Sequence, residues 1–372
     1  MVAEALQSGS MPIALSTAAN AGCVDMRMVR LRKVLSGATK FMVFPPRNTK
    51  NFSRSGRNVN VAFFQFLIQI IGKKRGKRMS ISKIGFIVKH QNEDAAVLSL
   101  EIAEFLDGRG FKVHFCDESS SILRKSPSKK KFKVVKKSTL ASKVDFIIVF
   151  GGDGTYLSAA RLMKEKSIPV LGINMGTLGF LTEVKKEEVF DALNTILKEK
   201  KLDCSERVML EAKLIRKGKT LVNDLVVNDV VVSKGAISRI IGIKINIDGH
   251  WANTVRADGM IISTPTGSTA YSLAAGGPII MPNLACMSIT PICPHGLTQR
   301  PLIVPDSVKV QVMVEHMPGH VFLTLDGQNL IDLQLGDVIE ITRFKKHKLK
   351  VVKAPNRDYF SLLREKLNFG GK

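Results

Sequence analysis

The chain has 372 residues, 45% of them hydrophobic and 24% charged, which is the balance of a globular protein long enough for two domains. Its longest apolar run, Val61 to Ile71, is too short to span a bilayer, and its five dispersed cysteines lack the CxxC spacing of a structural zinc site and point to a reducing compartment. The net charge of +24 is uneven, with 14 Lys or Arg against two acids in residues 1–79 and eight basic residues with no acid between Arg124 and Lys137. Such a balance fits a nucleic-acid or membrane-surface binder, or an anionic small substrate combined with a basic leader. The second reading is preferred here: no nucleic-acid partner and no stable membrane association.

Residues 1–80 read as the leader. No acid occurs from Met26 to Asn92, and Ser, Arg and Asn are frequent, as in an organellar transit segment; the alternative is a start at Met79 with a disordered or mis-assigned stretch before it. Ordered structure is expected from Ile81, with a strand at Ile84–Val88 and a helix over 94–107 that puts Ala95, Leu98, Ile102 and Leu106 on one face. A short strand at Lys112–Phe115 precedes the basic stretch 124–137, read as a solvated loop. Phe146–Phe150 is a buried strand, and apolar residues at 156, 159, 160 and 163 predict a helix over Tyr156–Lys166. Pro169–Ile173 follows as another buried strand. Strands alternating with helices predict a parallel α/β sheet, whose ligands sit at the carboxyl ends of the strands.

After Ser205 the period changes to two. Leu210, Ala212 and Leu214, then Ile241 to Ile247, then Val308 to Val314 alternate with polar residues or glycine, and Lys217-Gly218-Lys219, Asp248-Gly249 and Asp326-Gly327 supply hairpin turns. This predicts an antiparallel β domain. The lone Trp251, after a DG turn, reads as strand packing. A last helix over Asp358–Leu367, with Phe360, Leu363 and Leu367 on one face, is expected to pack back on the first domain.

The chemistry centres on Gly151-Gly152-Asp153-Gly154-Thr155 between the 146–150 strand and its helix. Three glycines in four positions allow close approach of a ligand, and a helix N-terminus offers free N–H groups to an anion such as phosphate. A carboxylate beside phosphate is costly unless it binds a metal or takes a proton, and both uses belong to phosphoryl transfer. Several kinases carry a similar turn, including those acting on sugars, diacylglycerol and sphingoid bases. A Gly-x-x-x-x-Gly-Lys-Ser/Thr loop is absent, which excludes a P-loop NTPase, and no Gly-x-Gly-x-x-Gly follows the first strand. Downstream, Asn228-Asp229 ends an apolar run, and Arg256-Ala257-Asp258-Gly259 precedes the hydroxyl- and glycine-dense segment Ser263 to Pro278, which suits a polar ligand with many hydroxyl and phosphate oxygens.

The combination of GGDGT, the Asn-Asp pair and Thr264-Pro265-Thr266-Gly267-Ser268-Thr269-Ala270-Tyr271-Ser272 resembles the NAD kinase family over roughly residues 82–370. The resemblance implies a Rossmann-like α/β domain (81–205) carrying the GGDGT turn, an antiparallel β domain (206–352) and a helical tail (353–372) returning to the first domain. It implies transfer of a phosphoryl group from ATP or polyphosphate, with Mg²⁺, to the adenosine 2′-hydroxyl of NAD⁺. Asp153 would be the general base and Gly154 its phosphate-facing neighbour. Asn228 and Asp229 would hold the adenine-side ribose, Asp258 would lie near the nicotinamide amide, and Arg239 and Arg256 would approach the phosphates or nicotinamide end. Thr269, Ala270 and Tyr271 would line the adenosine pocket, followed by Ser272, Leu273 and Ala274, the last standing where many relatives have Ser. Gln328 would contact substrate. The family further implies a cytoplasmic homo-oligomer, dimer or tetramer, or an organellar one if the leader is a transit segment.

Overall fold

The structure, a computed structural model, describes residues 28–30, 41–43, 81–125, 132–198, 202–236, 239–355 and 357–368. The chain divides into two compact units, Met1–Lys77 and Arg78–Lys372. In the first, for which the sequence predicted no element, strands β1 (Met28–Arg30) and β2 (Phe41–Val43) pair antiparallel. The transit-segment reading otherwise falls on residues outside those described.

In the second unit the chain runs β3 (Lys83–Val88), α1 (Glu93–Asp107), β4 (Lys112–Cys116), β5 (Lys133–Val135), α2 (Leu140–Lys143), β6 (Phe146–Gly151), α3 (Asp153–Ala160), β7 (Pro169–Asn174), β8 (Val184–Lys185), α4 (Val189–Lys198) and β9 (Cys204–Arg207). Strands β3 to β8 pair in parallel. β6 is buried at every position because both faces of the sheet are covered, so it reads as a continuous apolar run. Helices α1 and α4 cover one face through Leu100, Ile102, Leu106, Leu193 and Ile196. The Asn92 side chain caps α1 by accepting from Ala95 N at 2.8 Å, which supplies one of the bonds a helix start lacks. Within the stretch expected to be a solvated loop, Lys133–Val135 forms the sheet's edge strand beside β4.

The β half contributes two six-stranded antiparallel sheets. Its strands are β10 (Leu210–Arg216), β11 (Lys219–Val226), β12 (Asp229–Lys234), β13 (Ile241–Ile247), β14 (His250–Ala257) and β15 (Gly259–Ser263). After the short helix α5 (Tyr271–Ala274) come β16 (Cys286–Ile292), β17 (Leu302–Pro305), β18 (Val310–His316), β19 (Val321–Leu325), β20 (Asn329–Asp332) and β21 (Val338–Arg343). One sheet orders them β11-β10-β21-β18-β13-β14 and the other β17-β16-β15-β12-β19-β20. Their inner faces share one core, to which Leu210, Ile243 and Val312 come from the first sheet and Val230, Ile262 and Leu323 from the second. Lys217-Gly218, Asp248-Gly249 and Asp326-Gly327 all have positive φ, the backbone that two-residue hairpins with native twist require.

One strand crosses the boundary drawn from sequence. β22 (Leu349–Val352), assigned above to the β domain, pairs in parallel with β7 and antiparallel with the edge strand β9, so it belongs to the α/β sheet. Period-two alternation is the same in either sheet, which is why the pattern did not distinguish them. The sheet face under α3 packs against Met209, Leu225, Val227 and Phe344, so the two halves share a core where they meet.

The tail forms α6 (Tyr359–Leu367), started by an Asp358/Ser361 capping box. Its buried residues are Leu362 and Leu363, whereas Phe360, expected on the inner face, is exposed. Tyr359 turns inward instead, its ring 6.3 Å from that of Phe180, and Lys185 pairs with Glu365 at 2.7 Å. Trp251 is 68% exposed at its hairpin rather than packed. Among the described residues no helix is long and apolar enough to cross a membrane.

Candidate active site

The phosphate-type turn lies at the carboxyl end of β6. Helix α3 begins at Asp153 itself, with Gly152 as its N-cap, so the acid sits in the first turn rather than before it. The helix leaves the N–H groups of Asp153 and Gly154 without intrahelical acceptors. Gly151 is required by packing, since a Cβ there would come within 2.5 Å of Thr155 Oγ1. Gly152 and Gly154 differ: neither has a positive φ, and a Cβ on either would meet nothing within 4 Å. What the missing side chains permit at these two positions is approach from outside the protein.

Asp153 faces a second glycine-bearing segment, Asn174 to Thr182, at the carboxyl end of the neighbouring strand β7. Its Oδ1 accepts from Leu181 N at 3.0 Å, Thr182 N at 3.1 Å and Thr182 Oγ1 at 3.1 Å, while Oδ2 accepts from Phe180 N at 2.9 Å. An ionised carboxylate has about four acceptor sites, so these bonds leave capacity on Oδ2. Gly179 allows the approach, because a Cβ there would stand 2.0 Å from Asp153 Oδ1. Asn174 braces the segment, donating from Nδ2 to Thr177 O at 2.6 Å and accepting from Gly176 N at 2.8 Å.

The β half presents the Asn228-Asp229 turn. Thr264 N donates to Asn228 O at 2.9 Å, Thr264 Oγ1 donates to Val227 O at 2.5 Å, and Gly267 lies so close that a Cβ would be 2.2 Å from Asn228 O. The Thr-Pro-Thr-Gly segment is thus packed on the Asn-Asp turn. Among the described residues, two buried polar atoms here have no partner, Asn228 Oδ1 and Thr266 Oγ1, and each has hydrogen-bonding capacity to offer a polar ligand. Asp229 is 5% exposed, and burial followed by the nearby Asp326 carboxylate pushes its pKa up to about 7. Gln328 Nε2 donates to Gly154 O at 3.2 Å, bringing the β19–β20 hairpin onto the GGDGT turn.

The structure therefore brings Asp153, Gly154 and Gln328 together from the two halves, and sets Asn228, Asp229 and the 264–267 backbone against one another. Beyond Gly267, Thr269, Ala270 and Leu273 are half-buried, Ala274 is exposed, and Tyr271 keeps 47% of its surface open. Ser272 departs from expectation: it is fully buried and its hydroxyl shares a 3.2 Å hydrogen bond with Thr290, so it packs the segment instead of facing a ligand. Arg239, Arg256 and Asp258 lie apart. Asp258 pairs with Lys234 at 3.5 Å, at the end of β12 opposite Asp229, a separation of about 17 Å at normal strand rise. Arg256 is exposed on the edge strand β14, and Arg239 is exposed as well.

Sequence reasoning missed the Asn174–Thr182 segment and Asp326. The first does its work through backbone N–H groups, which carry no residue signature; its available signal was a second glycine-bearing turn after a buried strand next to β6. Asp326 was read as a hairpin residue, yet its carboxylate accepts from Asn228 N at 2.7 Å, Asp229 N at 3.1 Å and Val227 N at 3.0 Å.

Comparison with known proteins identifies the family. Residues 84–201 match the ATP-NAD kinase N-terminal domain family and residues 227–354 the ATP-NAD kinase C-terminal domain family. The NAD kinase of Citrifermentans bemidjiense is 40% identical over 291 residues, 78% of this chain and 99% of that protein. That of Geotalea daltonii is 46% identical over 235 residues, 63% of this chain and 82% of the relative. Among solved structures, yeast NADH kinase complexed with NADH superposes with a TM-score of 0.72 at 26% identity, covering 78% of this chain and 89% of the yeast chain. An NAD kinase from Archaeoglobus fulgidus in complex with ATP shares the fold, with a TM-score of 0.58 at 22% identity over 76% of this chain and 99% of its own. A GGDGT turn and an Asn-Asp turn both bonded to the β19–β20 hairpin, two matched domain families and a relative aligned over nearly its whole length lead to one assignment: the chain is a kinase that belongs to the NAD kinase family.

Proposed function

We propose that this kinase transfers the terminal phosphoryl group of ATP to the adenosine 2′-hydroxyl of NAD⁺, with Asp153 as general base. The observation that carries the reading is the open acceptor capacity of Asp153 Oδ2 beside two glycines whose missing side chains face open space. A ribose hydroxyl is a weak nucleophile, and a carboxylate within hydrogen-bond reach takes its proton as the oxygen bonds to phosphorus. The proton goes to Oδ2, and the bond from the terminal phosphorus to the bridging oxygen breaks. The four bonds holding Asp153 fix that oxygen before substrate arrives, so little reorganisation is needed at the moment of transfer. Free N–H groups at the start of α3 orient an anionic phosphate.

On the β side, Asn228 Oδ1 and the Asp229 carboxylate accept hydrogen bonds from ribose hydroxyls, with Tyr271 offering an exposed ring to the adenosine. Among the described residues no three His, Cys, Asp or Glu side chains gather into a metal cage. The donor set at the turn is the single carboxylate Asp153, which fits a Mg²⁺ carried on the donor's phosphates. Such an ion would offset the charge developing on the phosphate oxygens. Incubating the protein with NAD⁺, Mg²⁺ and either ATP or polyphosphate, and detecting NADP⁺ with a dehydrogenase that accepts that product alone, tests the reading. NADP⁺ formation with ATP is expected; no product with either donor contradicts it.

A further inference from the structure

Arg161 and Asp326 lie behind the two turns and join them. Arg161 closes the C-terminal end of α3, the helix that begins with Asp153. Its Nη2 donates to Leu325 O at 2.6 Å, Nε lies 3.8 Å from Asp326 Oδ2, and Nη1 lies 3.9 Å from Asp224 Oδ2. The Asp326 side chain is wholly buried and accepts the three backbone N–H groups of Val227, Asn228 and Asp229. A hairpin needs a residue tolerant of positive φ at this position, and a neutral Asn would serve. The turn geometry gives no reason for a buried charge.

Besides Arg161, that charge lies beside Asp229, whose backbone N–H it accepts at 3.1 Å. Among the described residues, the ionisable groups facing Asp229 are Asp326 from the β19–β20 turn and, behind it, Arg161 from the end of α3 and Asp224 from β11. On the other side, β15 presents Ser263 opposite Asp229 in register, followed by Thr264, and neither hydroxyl titrates in this range. Burial raises the Asp326 carboxyl, against which its three N–H donors and Arg161 act. Two carboxylates this close resist ionising together, so what neutralises one alters the other.

We propose that Arg161 and Asp326 are a positioning pair that fixes the Asn228-Asp229 turn on the phosphate-turn helix and sets the charge on Asp229 that the dinucleotide meets. The pair touches no reacting atom and acts through Asp229, and the proposal rests on the reading of Asp229 as a ribose contact. A ribose hydroxyl donates well to an ionised Asp229 and poorly to a protonated one. Substrate capture therefore improves as pH rises through the Asp229 transition. Asp326→Asn keeps an oxygen for the N–H groups and removes the repelling charge, which moves that transition to lower pH. Arg161→Met removes the cation and moves it to higher pH.

The test is kcat/KM for NAD⁺ from pH 5.5 to 9 at saturating ATP, in the full chain and in Asp326→Asn, Arg161→Met and Asp229→Asn. The expected wild-type limb rises through about 7. It should move down by about half a pH unit or more in Asp326→Asn, which improves the pH 6 to pH 8 ratio about threefold. It should move up in Arg161→Met, with KM for NAD⁺ changing more than kcat. Loss of activity in both variants with the limb unmoved would reduce the pair to structural support and overturn the proposal. Should Arg161→Met fail to fold, the direction of the Asp326→Asn shift decides alone. Asp229→Asn separates the two ideas. If it abolishes the limb and raises KM while the other variants leave the limb in place, the ribose contact stands and the positioning pair falls; if it changes neither, the ribose contact itself is wrong and the proposal falls with it.

Discussion

Asp153 in the α/β half and Asp229 in the β half are the same residue type in opposite surroundings. Asp153 receives four hydrogen bonds from one short segment, three of them from backbone N–H groups that cannot rotate away. Asp229 is buried against a second carboxylate, Asp326, which takes all three neighbouring backbone N–H donors. The first arrangement fixes an acceptor atom in space; the second keeps an acceptor short of partners until a ligand supplies them. On the proposed function, chemistry falls to one half and capture to the other, and substitution on either side can break that division.

The largest effect is expected at the first carboxylate. Asp153→Asn should lower kcat by about 10² to 10⁴-fold, the range for a lost general base, measured by NADP⁺ formation under saturating substrates. Gly179→Ala attacks the same atom indirectly, since its Cβ would strike Asp153 Oδ1, with Thr182 Oγ1 only 2.4 Å away. It should reduce kcat by about tenfold or more while changing KM for NAD⁺ far less, because misplacing a reacting group costs rate steeply.

At the second carboxylate the split reverses. Asp229→Asn should raise KM for NAD⁺ by about 10- to 100-fold, the worth of a hydrogen bond to a charged group, with a smaller change in kcat. The same substitution should stabilise the fold above neutrality. The folded Asp229 carboxyl is raised from 3.8 to about 7, so its contribution to stability is fully present below about pH 4 and is lost as pH rises through about 7. Thermal melts at pH 8 should therefore show Asp229→Asn with the higher Tm, by about 2–4 °C for each kcal/mol recovered. An unchanged or lower Tm there would mean the buried charge is not a burden. The smallest structural effect belongs to Gly154→Ala, whose Cβ meets no protein atom. Its Tm should match wild type while KM for the phosphoryl donor rises severalfold; an unchanged KM would show that nothing approaches the turn that closely.

The same contrast governs what was legible in the sequence. β6 read correctly because every residue of Phe146–Phe150 is buried, and β10 because Leu210, Ala212 and Leu214 alternate with less buried neighbours. Glycine turns and the Asn-Asp pair stood out in the sequence because their side chains, or lack of them, are the message. The clamp on Asp153 was not legible because its donors are main-chain groups of Phe180, Leu181 and Thr182. Asp326 was hidden by its own turn, since Asp-Gly in a hairpin already has a sufficient local explanation. Ser272 misled in the other direction: in a hydroxyl-rich segment one residue facing the core looks the same as one facing a ligand. The placement of β22 and the inward turn of Tyr359 depend on which surface is available at the end of the chain's path, and no local period records that.

The division of labour between the two carboxylates is tested most directly by measuring NAD⁺ binding to the Asp153→Asn and Asp229→Asn proteins by calorimetry, beside their turnover. Asp153→Asn is expected to bind NAD⁺ within a few fold of wild type while scarcely turning over, and Asp229→Asn to bind about 10- to 100-fold more weakly. Wild-type turnover in Asp153→Asn, or wild-type binding in Asp229→Asn, would contradict it.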